Sequence, residues 1–128
     1  MKQKSYYIDE GRIKDHDVLA AVFISDVEIT DDKYAEEPPE ALWVHEEILS
    51  RLILFGSAYQ MHFSALIPDV YGTYNINKAQ CNDLAAELET VTELTNDDLL
   101  RKYALLIREQ ALRVCQTTKS QFLVVMGN

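Results

Sequence analysis

Glycine is scarce in this chain and never clustered. Its four glycines stand singly at 11, 56, 72 and 127, so no glycine-rich loop is present to cradle a phosphate. There is no Gly-x-Ser-x-Gly turn to expose a nucleophilic serine. Cysteine is scarcer still: Cys81 and Cys115 form neither a disulfide framework nor a metal motif. Both fall at apolar positions of helical patterns, which predicts reduced thiols turned inward and slow to react. Long apolar runs are missing. The longest, VLAAVFI at 18–24 and LILF at 52–55, are far short of a membrane span. The opening MKQKSYYIDEGR has no apolar stretch of the kind a secretory signal needs, and no Asn-x-Ser/Thr sequon occurs. The expected location is a reducing cytoplasm, with no membrane partner. Positive charge is also short, with 12 Lys and Arg against 21 Asp and Glu, which argues against a nucleic-acid partner.

Negative charge is abundant, and it sits in one block. Residues 26–47 hold nine acids (Asp26, Glu28, Asp31, Asp32, Glu36, Glu37, Glu40, Glu46, Glu47) against Lys33 alone, a net −8 out of −9 for the whole chain. Such crowding raises self-repulsion that a cationic partner relieves. Two aromatics, Tyr34 and Trp43, stand in the same block. The remaining composition is ordinary: 128 residues, 48% hydrophobic, enough for one domain with its own core.

The hydrophobic pattern predicts an α+β fold, a small sheet packed against about three helices. Strands are expected at 6–8, within 18–29, at 59–67 and at 122–126. The 59–67 expectation rests on Tyr59, Met61, Phe63, Ala65 and Ile67 alternating with Gln60, His62, Ser64 and Leu66. The apolar 122–126 run should pair with 18–24, since both need hydrogen-bond partners once buried. Pro38-Pro39 followed by Glu40 predicts a helix that starts near 40, carries Trp43 in its first turn and stops at Gly56. Asn77 predicts an N-cap, with Cys81, Leu84, Ala85, Leu88 and Val91 along one helical face. Thr95 and Asp98 resemble a capping box ahead of a last helix, whose stripe runs from Leu99 to Cys115.

Chemical motifs mostly fail. His45-Glu46-Glu47-Ile48-Leu49 begins like a zinc helix, but Leu49 stands where the second histidine is needed. Asp26, Glu28, Asp31 and Asp32 offer hard oxygen ligands, yet their order does not fit an EF-hand loop. No set of residues spells out a reaction, so neither catalytic residues nor a cofactor is expected. Trp43 has two readings, as a core anchor or as an interface anchor at the rim of the acidic block. Tyr71 and Tyr74, in VYGTYNIN, can pack over their turn or meet a partner. The candidate binding set is therefore Asp26, Glu28, Asp31, Asp32, Tyr34, Glu36, Glu37, Trp43, Tyr71 and Tyr74, facing a basic protein.

Three segments carry a resemblance: the turn and helix YNINKAQCNDLAAELETV, the helix LTNDDLLRKYALLIREQALRVC and the closing FLVVMGN. Over residues 71–128 the chain resembles the small acidic immunity-type proteins of bacterial polymorphic-toxin and contact-dependent inhibition systems. The resemblance implies a non-enzymatic cytoplasmic inhibitor that neutralises a cognate toxin by tight binding, with acids facing a basic surface. It carries no binding residues across. Two other readings remain open: a self-associating accessory or regulatory subunit, and a small enzyme or metal-binding protein using clustered carboxylates.

Overall fold

The computed structural model describes residues 19–30 and 40–127. The chain order is β1 (Leu19–Ser25), β2 (Leu42–His45), α1 (Glu46–Ala58), α2 (Phe63–Leu66), β3 (Thr73–Ile76), α3 (Lys78–Leu94), α4 (Asp98–Gln116) and β4 (Phe122–Met126). The four described strands form one antiparallel sheet in the order β2-β1-β4-β3. The α+β expectation holds, with three long helices and the one-turn α2 among the described residues.

The two longest strands lie at the centre of the sheet. Val22 pairs with Val125, and Phe23 with Val124, as the apolar 18–24 and 122–126 runs required. Their lack of alternation has a physical reason: both faces are covered. On one face Ala20, Val22, Val44, Ile76, Leu123 and Val125 join the buried stripes of α1, α3 and α4. On the other, Ala21, Phe23, Val124 and Met126 form a second buried cluster with Ile29, Ala41 and Phe122 against it. The segment after β1 lies across this second face. The backbone N–H of Ile29 donates to Asn75 Oδ1 at 2.8 Å, and Asn75 Nδ2 donates to the Ile29 carbonyl at 2.9 Å. Asn75 thus supplies the two bonds that a neighbouring strand would offer. Residues 26–30 are consequently not the half-buried strand that Val27 and Ile29 predict: Val27 is 53% exposed, and Ile29 is held by a side chain.

Other boundaries also differ from expectation. The 6–8 strand lies outside the described residues. The first part of the helix expected after Pro39 is the edge strand β2, with Trp43 opposite Ala21. Leu-Trp-Val-His is short and rich in strand-forming residues, and only at His45 does the backbone turn. His45 Nδ1 accepts from the Glu47 N–H at 3.0 Å, capping α1. Helix α1 then passes Gly56 and ends two residues after it. There Met61 N–H donates to the Gly56 carbonyl at 2.7 Å and Gln60 N–H to that of Ser57 at 3.1 Å, while Gln60 is left-handed at φ 57°. This is a Schellman ending with glutamine at the glycine position. Gly56 serves packing instead: a Cβ there would come within 2.6 Å of the Phe63 ring.

The same ending overturns the expected strand at 59–67. Tyr59 stacks on Phe55 one helical turn back, with ring centroids 4.8 Å apart, and residues 63–66 form α2. Conversely, the turn expected at Tyr74 contains the edge strand β3. The α3 start is as predicted, with Asn77 and Gln80 forming a full capping box. The α4 cap is Asp97, not Thr95: Asp97 Oδ1 accepts from the Leu99 and Leu100 N–H groups, and Thr95 Oγ1 accepts from Asp97 N–H. Arg101 reaches back to the carbonyls of Thr92 and Thr95, satisfying the end of α3.

Candidate functional site

The fold divides a block that is continuous in sequence. Asp26 and Glu28 are exposed beyond the end of β1, where Gln121 Nε2 donates to Asp26 Oδ1 at 2.8 Å. Glu40 is exposed ahead of β2. Glu46 and Glu47 lie beyond the other end of β2, whose four residues span about 13 Å. They occupy the first turn of α1, where the helix dipole favours acids, so they have a structural role of their own. Asp31, Asp32, Tyr34, Glu36 and Glu37 lie outside the described residues.

Trp43 is the informative member of the set. It sits on β2, an edge strand among the described residues, and is 38% exposed. Its cross-strand partner Ala21 is small and buried. The core-anchor reading is therefore incomplete: Val44, the next residue, enters the main core, while Trp43 stays at the rim of the second face. An exposed aromatic on a strand at the edge of the sheet formed by the described residues is a combination that partner proteins use, through main-chain pairing and a side-chain anchor.

The two loop tyrosines part company. Tyr71 is 67% exposed. Tyr74 is half-buried, packed against the main core from β3, and its hydroxyl is bonded to Asp69. Burial, then the Asp69 carboxylate, push its pKa up to about 12. Asp69 itself is held below the usual carboxylate range by that hydroxyl and by the Tyr71 and Gly72 N–H groups, each at 2.9 Å. Tyr74 is thus a structural tyrosine that orders the turn presenting Tyr71.

Three polar side chains have roles that the sequence did not reveal: His45, Asn75 and Glu87. Glu87 accepts from the His62 N–H at 2.7 Å and the Phe63 N–H at 2.9 Å, holding the start of α2. Among the described residues no group of three or more His, Cys, Asp or Glu could hold a metal ion, and no helix is long and apolar enough to cross a membrane. The chain matches no protein-family model, no curated protein and no solved structure.

Proposed function

We propose that this chain is a non-enzymatic protein-binding domain of the immunity type, acting in the cytoplasm to neutralise a basic cognate toxin. The observation that carries the reading is Trp43, exposed on a strand that is at the edge of the sheet among the described residues and within the most acidic stretch of the chain. Exposed Asp26, Glu28 and Glu40 add negative charge around the same sheet. An anionic surface speeds encounter with a basic partner, and an aromatic anchor slows its release. Tyr71 is a second candidate contact.

The experiment places a photo-crosslinking amino acid at position 43 and identifies the protein captured in the native host. That protein is then expressed alone and together with this chain. The proposal expects a basic protein that stops growth alone and is harmless in the presence of the chain. Crosslinking of the chain to itself, with a stable dimer in sedimentation, would favour the self-associating subunit instead.

A further inference from the structure

The two cysteines, 34 positions apart in sequence, stand at the same end of the α3–α4 hairpin. Cys81 lies in the first turns of α3, and Cys115 is the second-last residue of α4. Their sulfurs address carbonyls two residues apart: Cys81 Sγ lies 3.6 Å from the Ile76 oxygen, and Cys115 Sγ lies 3.7 Å from the Lys78 oxygen. Cys115 is close enough to add to the resistance of the Cys81 thiol to ionisation, after the larger effect of burial. They differ in access. Cys81 is fully buried, whereas Cys115 is half-buried, which corrects the expectation that both are sealed inward. Both are free thiols.

We propose that Cys81 and Cys115 are a dithiol modification site, at which low-molecular-weight disulfides of the glutathione class convert the pair to an intramolecular disulfide. Cys115 reacts first, because it is the half-buried residue of the pair while Cys81 is buried. It loses its proton and attacks one sulfur of the oxidised reagent RSSR. The reagent's S–S bond breaks, and RS⁻ departs and takes up a proton. Cys81 then loses its proton and attacks Cys115 Sγ, expelling the second RS⁻. Two protein thiols are oxidised and one RSSR is reduced to two RSH. Cys115 lies in the final turn of α4, and the following residues 118–120 are exposed. Lys78, whose ammonium donates to the Thr117 carbonyl, offsets part of the burial that holds the Cys115 thiol above its usual range. Burial pushes Cys81 up to about 12, so the closing step is slow at neutral pH and accelerates as pH rises. The product ties the start of α3 to the end of α4 and removes freedom from the unfolded chain.

The test incubates the native chain with oxidised glutathione at pH 7 to 9 and follows intact mass, with circular dichroism confirming that each variant is folded. Wild type is expected to lose two hydrogens, remain monomeric by mass, and melt at a higher temperature than the reduced form. Cys81→Ser is expected to stop at a stable glutathione adduct on Cys115. Cys115→Ser is expected to gain almost nothing at the times that modify wild type. Wild type that keeps the glutathione adduct, dimerises through disulfides or fails to react would overturn the proposal. So would an oxidised form that melts no higher than the reduced one.

Discussion

Gln60 occupies a backbone position that glycine would fill better. A left-handed residue carrying a Cβ costs about 1–2 kcal/mol, and the Schellman bonds around Gln60 hold it there regardless. Gln60→Gly is therefore expected to stabilise the chain by about 1 kcal/mol, read as a higher urea midpoint at unchanged slope. Gly56→Ala tests the opposite case. Alanine in a helix interior gains about 1 kcal/mol in propensity, but here the added methyl meets the Phe63 ring, a fully buried side chain. Overpacking costs about 1–3 kcal/mol, so this substitution should lower the midpoint. These two residues also explain why the end of α1 was hard to read. The glycine that looks like a stop signal is there for close packing, and the true stop uses a residue with no stop signature.

Among the elements, legibility follows how local the cause is. The α3 start is written in Asn77 and Gln80, three residues apart, and it forms as written. Asn77→Ala removes the acceptor for Gln80 N–H and should cost about 1 kcal/mol. The β1–β4 pairing was legible because two uncharged apolar runs had to find each other. The two edge strands were not. Leu42–His45 carries helix-compatible spacing, and its strand state depends on β1 lying alongside it. Thr73–Ile76 looks like a turn until β4 arrives. Glu87 makes the same point with a side chain. Its role is set by the His62 and Phe63 N–H groups, 25 and 24 positions away. Glu87→Ala should cost about 1–3 kcal/mol, because two backbone donors lose their acceptor; hydrogen exchange at Phe63 should rise before global unfolding.

For the whole molecule, alkaline pH should be the weak side. Tyr74 and Cys81 keep their protons to about 12 in the folded chain, against 10.0 and 9.0 for the free groups. The stability they contribute is complete below pH about 9 and is lost as pH rises toward about 12. Urea midpoints should fall across that window, and less steeply in Cys81→Ala. The depressed Asp69 acts at the acid end: its contribution is present above pH 3.8 and declines as pH falls below that value.

Of the candidate site, the charge was legible and the placement was not. The sequence shows a single anionic block. The fold sends Asp26 and Glu28 past the end of β1, puts Glu46 and Glu47 into a helix start, and leaves Trp43 exposed between Glu40 and that start. The direct test of the binding account is the association rate with the partner captured through position 43, measured against salt. The wild-type rate should fall steeply as salt rises, while a variant carrying Asp31→Asn, Asp32→Asn, Glu36→Gln and Glu37→Gln should fold normally, bind more slowly at low salt and respond weakly to salt. Equal rates for the two proteins at low salt would contradict the account and return the acidic block to the status of solvated surface.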